Sequence, residues 1–251
     1  MSGAIAIRKC ETLDEMRACF ALQKEVWELS DAELVPVRMF VVANKIGGQV
    51  VGAFDGRELV GFALAIPGHR AGHAYLYSQM LAVRLQYRNA GVGRRLKLHQ
   101  REDALSRGFE LMEWTFDPLE IKNSYLNVVK LGAIARRYSV NQYGITTSPL
   151  HGGLPSDRLV AEWWMKSRRV EIALSGRYQE FDASLRIDVP AEIYEWKASP
   201  ATRVKAAEIQ EKNRVKFQDA FASGLAVLGY ERNDLGAGDF LLGAWDENWI
   251  Y

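Results

Sequence analysis

Residues 86–101, QYRNAGVGRRLKLHQR, place two glycines and an asparagine directly before a run of basic side chains. Gly91 and Gly93 lack a Cβ, so backbone there approaches a ligand closely. They stand where a strand gives way to a helix. The first amides of a helix have no intrahelical partner and carry the positive end of its dipole. That combination suits phosphate or pyrophosphate, and Arg88, Arg94, Arg95 and Lys97 add positive charge able to reach further phosphate oxygens.

Two familiar phosphate loops are excluded. A Walker loop requires G-x-x-x-x-G-K-[ST], which is absent. A dinucleotide fingerprint requires G-x-G-x-x-G, but the position three beyond Gly93 is Leu96, and the preceding strand is internal to the pattern of elements instead of opening a nucleotide-binding half. What remains is [QR]-x-x-G-x-[GA] after a long strand, written here as Arg88, Asn89, Ala90, Gly91, Val92 and Gly93.

Elements that could position this turn follow from periodicity. AIAIRKC reads as a strand, and TLDEMRACFALQKEVW as a helix capped at Thr12 or Asp14. QVVGAFDGRELVGFALAIPG reads as two strands joined at Asp55-Gly56, with a turn at Pro67, Gly68 and Gly72. AYLYSQMLAV is a long strand, residues from Gly91 to Gly108 a helix, FELMEWTFDP a strand and IKNSYLNVVKLG a short helix. AIARRYSVNQYG and DRLVAEWWMK supply two more strands around a loop. The order implies a mixed α/β fold, antiparallel at its start and parallel across one βαβ crossover. Beyond residue 168, RVEIALSG and LRIDVP read as strands, PATRVKAAEIQEKNRVKFQDAFASG as a helix, and LAVLGYER with DFLLGAW as a strand pair. This tail is either a second α+β lobe or a continuation of the sheet.

Composition narrows the function classes. The chain has 251 residues, 48% hydrophobic and 25% charged, with 32 basic and 31 acidic side chains. A net charge of +1 gives no general reason to expect nucleic acid or an anionic membrane. No apolar run approaches the length of a membrane span, and MSGAIAIRK lacks the order of a signal peptide, so the expected address is cytoplasmic. Cys10 and Cys19 read as buried thiols. His69 and His73 have an i,i+4 spacing but fall at a turn, which argues against a metal site.

The phosphate turn, its approach MLAVRLQYRNAGVG and the helix end LNVVKLGA together make residues 1–168 resemble the GNAT superfamily of acyl-CoA-dependent N-acyltransferases. WTFDP, KLGA, QYG and LPSDRLVAEWW are similar to a subgroup of that superfamily. The resemblance implies a GNAT-like mixed central sheet flanked by helices over residues 1–168, followed by a C-terminal α+β extension over 169–251. It implies acetyl-CoA as cosubstrate, the amine of a small molecule as acceptor, and a homodimer. Backbone groups at Leu81, Ala82 and Val83 would bond the pantetheine arm, the amides of Asn89, Ala90, Gly91, Val92, Gly93 and Arg94 would hold the pyrophosphate, and Asn123 would contact the coenzyme.

Val128 stands where the family's usual tyrosine acid lies. Tyr125, one turn earlier on the same face, is the first substitute, with Tyr138 and Tyr143 downstream. Glu113 is the favoured base and Asp117 the second; with Thr115 they alternate onto one face of a strand, and Tyr77 and Gln79 lie on its neighbour. Trp163 and Trp164 must face opposite sides of their strand. The stretch ELSDAELVPVRMF is read as a long loop walling the acceptor site, with Arg38 as anchor for a substrate carboxylate. The bland alternative for each glycine is a tight turn packed against its neighbours. For the whole chain the alternative is an acyl-CoA-binding protein without turnover.

Overall fold

A computed structural model describes residues 4–244. The chain divides into two compact units, with the break between Glu113 and Trp114. The expected boundary at 168 falls inside the second unit, at the first residue of a helix.

In the first unit, β1 (Ala6–Lys9), β2 (Gln49–Asp55), β3 (Glu58–Arg70) and β4 (His73–Val83) pair antiparallel in sequence order, and β5 (Leu111–Phe116) joins β4 in parallel. Alternation along β2 and β3 gives this sheet two buried faces. Val50, Phe54, Phe62 and Leu64 pack beneath α1 (Leu13–Trp27) and α2 (Val37–Lys45), with Met16, Leu22 and Phe40. Val51, Ala53, Val60 and Ala63 point the other way, towards Val92 and Leu96 of α3 (Val92–Ser106). Helix α1 starts at a capping box. Thr12 accepts from the Glu15 amide, and Glu15 accepts from the Thr12 amide and from Arg8. Those bonds hold the Glu15 carboxyl down at about 2.

The Asp55-Gly56 hairpin forms as expected, with Gly56 at φ 59°. The next turn differs from expectation. Strand β3 runs on through Pro67 and Gly68 to Arg70, and the chain reverses at Ala71 and Gly72. Gly68 is small because its neighbour is large: a Cβ there would lie 2.6 Å from the Tyr75 ring. The expected loop at ELSDAELVPVRMF ends in α2, whose buried Phe40 and Ala43 face the sheet. Cys10 and Cys19 are buried free thiols with sulfurs 4.0 Å apart.

In the second unit, β5 borders β7 (Arg158–Trp164), followed by β6 (Ile134–Ser139), β9 (Leu225–Arg232), β10 (Gly238–Ala244) and β8 (Leu185–Val189). The tail therefore continues the sheet, through the pairing of Ala135 with Val227. Its helices are α5 (Arg168–Leu174), α6 (Ile193–Ala198) and α7 (Arg203–Ala222), and α4 (Ile121–Tyr125) runs into a π turn, Leu126–Lys130, early in the unit. Expectation fails at α5, read as a strand from its β-branched residues. Ser167 caps it by accepting from the Val170 amide, and Val170 and Ala173 bury one helical face. Trp163 is buried and edge-on to Trp114, whereas Trp164 is partly exposed, as alternation requires.

Candidate active site

The phosphate turn follows β4 and a single 3-10 turn at Leu85–Tyr87. Asn89 (φ 62°) and Gly91 (φ 76°) are both left-handed, and α3 begins at Val92. Asparagine tolerates that region better than most residues, and glycine adopts it without strain. No side chain caps this helix, in contrast to the capping box of α1. A Cβ at Gly91 would meet nothing within 4 Å, and one at Gly93 would make ordinary contact with Leu81 at 3.4 Å. The glycines are therefore not there to relieve protein packing. A side chain at Gly91 would project into open space beside the start of α3.

Positive charge around the turn is differently disposed from expectation. Arg88 donates to the Val83 carbonyl (2.9 Å), and Arg95 donates to the Ile5 carbonyl. Lys97 points inward: it is buried beneath β4 and donates to Ser78 Oγ at 2.7 Å, and burial pushes its pKa well down. Ser78 in turn donates to Gln100 Oε1 at 3.1 Å, and Gln49 donates to the Gln100 carbonyl and to Asp103. Sequence reasoning placed Lys97 with the phosphate-binding cations. Its burial depends on a partner nineteen residues away, which the helical run alone does not reveal.

Strand β4 is irregular before the turn. Leu64 pairs with Met80 and Ala65 with Ser78, so Gln79 is the extra residue of a bulge. Its parallel ladder with β5 comprises two pairs among the described residues, Leu76–Met112 and Tyr77–Glu113. Leu81, Ala82 and Val83 are held by β3 on one side, opposite Ala63, Phe62 and Gly61. Glu113 sits at the last rung of the β4–β5 ladder, 2% exposed and ion-paired to Arg70. The Arg70 guanidinium also lies over the Tyr75 ring, at 4.9 Å.

On the second unit, Thr115 of β5 shares a hydrogen bond with the Tyr143 hydroxyl at 3.2 Å. Tyr143 is half exposed, and Arg158 faces its ring at 5.6 Å. Asp117 is committed locally. It accepts from the Leu119 amide (2.8 Å) and from Lys197 (3.1 Å), and although burial opposes it, the positive charge of Lys197 and Arg158 keeps its carboxyl below the usual range. Asn123 is exposed on α4. Tyr125 has Arg232 against its ring at 4.1 Å and Lys130 at 5.4 Å. Val128, at the tyrosine position, is buried. The Tyr138 hydroxyl donates to buried Asp157 at 2.8 Å, and burial together with that carboxylate drives its pKa up, so it is a poor proton donor. Arg38 is exposed on α2.

Residues 12–122 match the model of the Acetyltransferase (GNAT) family. No curated protein matches the chain. Among solved structures, the chain is similar to yncA of Salmonella typhimurium, a structure containing its cofactor acetyl-CoA (14% identity, TM-score 0.54, 66% of this chain and 96% of that one). It is also similar to the ribosomal-protein-S18-alanine N-acetyltransferase of Escherichia coli (16%, 0.51, 65% and 96%) and the ribosomal-protein-alanine N-acetyltransferase of Brucella melitensis (19%, 0.51, 62% and 98%). At these identities the likeness establishes the fold, a mixed sheet flanked by helices.

Proposed function

Because residues 12–122 match the model of the GNAT acetyltransferase family, we propose that this protein transfers the acetyl group of acetyl-CoA to the amine of a small molecule by direct attack in a ternary complex. The observation that carries the reading is the entrance to α3. A left-handed Asn89–Gly91 turn leads into a helix whose first amides no side chain caps, with open space where a side chain at Gly91 would lie, an arrangement that suits a pyrophosphate. The transferase domain is taken as residues 1–168 and the C-terminal part as 169–251. Support for this division comes from the solved structures, which are covered almost whole by 62–66% of this chain.

In this reading the amides of Asn89, Ala90, Gly91, Val92, Gly93 and Arg94 hold the pyrophosphate, backbone groups of Leu81, Ala82 and Val83 bond the pantetheine arm, and Asn123 adds a polar contact. Acetyl-CoA supplies the thioester. The protein's task is to orient a neutral amine at near-attack distance, accept its proton after attack and protonate the departing sulfur. Glu113 is the proposed base and acts through water, since its carboxylate is buried beside Arg70. Asp117, held by Lys197 and the Leu119 amide, positions the turn between β5 and α4. For the acid we take Tyr143 ahead of Tyr125. The Tyr143 hydroxyl is half exposed beside Thr115, whereas the Tyr125 ring lies against two cations.

A second reading, coenzyme binding without turnover, is favoured by one observation: Val128 is buried and carries no hydroxyl. Thiol release during incubation with acetyl-CoA and amino acids, polyamines or an alanine-terminated peptide decides between them. Release with a small amine supports the proposal, release with the peptide alone moves the acceptor class to protein termini, and binding without release under every condition favours the second reading.

A further inference from the structure

A groove lies wholly within the second unit. It is lined by the end of α4 and its π turn, by α5 with the residues that follow it, and by β9, and it is an open groove of about 440 Å³, within the size range of small-ligand pockets. A narrower recess reaching Arg169 and Leu228 adjoins it, the two sharing Val129, Ala173, Arg177 and Tyr178.

The charge of this groove is one-sided. Lys130, Arg177 and Arg232 line it and Arg169 lines the recess. Among the described residues none of these four has a carboxylate within ion-pair distance. The only lining acid, Glu231, is already paired with Arg186 at 2.7 Å. Arg169 spends its donors on the carbonyls of Gly132 (3.2 Å) and Leu228, and burial draws its pKa down to about 10. Three cations around the groove, with a fourth in the adjoining recess, repel each other, a cost that an anion between them would offset.

Backbone geometry builds the same place. π turns are rare and recur at functional sites. This one, closed by the Leu131 amide on the Leu126 carbonyl at 3.0 Å, sets Lys130 against Tyr125 five positions earlier. Gly132, at φ 75°, lets α5 approach: a Cβ there would lie 2.9 Å from that of Ala173. Three tyrosines line it, and the rings of Tyr125 and Tyr178 add flat apolar surface beside the cations.

We propose that this groove binds a small organic anion of about mononucleotide size, with phosphate or carboxylate oxygens beside a planar body. The site is independent of the α3 turn. Arg177, Lys130 and Arg232 would meet the anionic oxygens, with guanidinium forks suited to bidentate pairing, and Tyr125 or Tyr178 would flank the planar part.

The test is calorimetric titration of the full chain with adenosine monophosphate, benzene-1,3,5-tricarboxylate and orthophosphate, repeated in Gly91→Glu, Arg177→Glu and Lys130→Ala proteins. Gly91→Glu fills the α3 turn and removes any phosphate bound there. The expected result is that one planar anion binds parent and Gly91→Glu alike, and that Arg177→Glu or Lys130→Ala weakens it by about tenfold or more. Adenosine monophosphate alone would assign phosphate chemistry, and the tricarboxylate alone would assign carboxylate chemistry. Lys130→Ala, a truncation at an exposed position, keeps the test open if the charge reversal fails to fold. The proposal is overturned if no planar probe binds at millimolar concentration, if orthophosphate binds as tightly as the planar anions, or if binding disappears in Gly91→Glu and survives both groove variants.

Discussion

Gly91 is the residue on which the coenzyme assignment turns. Its φ of 76° forbids most side chains, and the space beyond it is empty, so a substituent there strains the backbone and projects into the proposed phosphate site. Gly91→Glu, measured by titration with acetyl-CoA, should abolish binding while the chain remains folded. Glu113→Gln should lower turnover and shift its pH profile, removing the acidic limb that ionisation of a general base produces, with the affinity for acetyl-CoA nearly unchanged; an unaltered profile would remove Glu113 as the base. Lys97 gives a prediction about stability. Burial lowers its folded pKa below the unfolded value, so the unfolded chain binds more protons in between, and stability rises with pH across that window, by up to about 1.4 kcal/mol per pH unit, until the unfolded pKa is passed. Lys97→Met should melt higher than the parent at neutral pH and lose that slope, as thermal unfolding at several pH values would reveal. The turn was legible in sequence because its signal is local: two glycines, an asparagine and a helix start. Lys97 was not, because a lysine among arginines on a helix looks solvated until the strand beneath supplies Ser78.

Among the elements, those with both a stop signal and a clean period were readable. Helix α1 has its capping box, the β2–β3 hairpin its Asp55-Gly56, and α3 its end at Gly108, where φ is 85°. Glu15 supports α1 twice, through the Thr12 amide and Arg8. Its carboxyl is depressed to about 2, so the stability it contributes is present above the ordinary carboxylate range and is lost as pH falls towards 2. Glu15→Ala should therefore cost about 1 kcal/mol at neutral pH, with the difference from the parent shrinking in acid-unfolding measurements. Helix α5 was misread because Val170 and Ile172 favour strands in isolation; the Ser167 cap and the burial of Val170 and Ala173 decide the matter. The stretch 28–40 is a loop as expected up to Pro36, and only its end is helical: α2 is short, opens at Pro36 without a side-chain cap, and exists because Phe40 and Ala43 are buried. Register is legible only in outline. Nothing in the alternation of β4 announces the extra residue at Gln79.

At the scale of the molecule, a resemblance to the GNAT acetyltransferase family is legible in the order of elements together with one turn, and residues 12–122 match that family's model. The proton-transfer residues could not be read. The reaction asks mainly for orientation, so the residue types that serve it are not diagnostic, and whether a tyrosine hydroxyl is available depends on its neighbours in the fold. The Tyr138 hydroxyl is held by Asp157, two cations lie against the Tyr125 ring, and the Tyr143 hydroxyl lies beside Thr115. The continuation of the tail into the sheet was equally hidden, because it rests on the long-range pairing of Ala135 with Val227. The most direct measurement is titration of acetyl-CoA into the parent and Gly91→Glu proteins, with thiol release followed in the presence of amines. Saturable binding and amine-dependent release by the parent, both absent in Gly91→Glu, are the predicted result. Equal affinity in the two proteins, or no binding by the parent, would contradict the assignment of the Asn89–Arg94 turn as the coenzyme site.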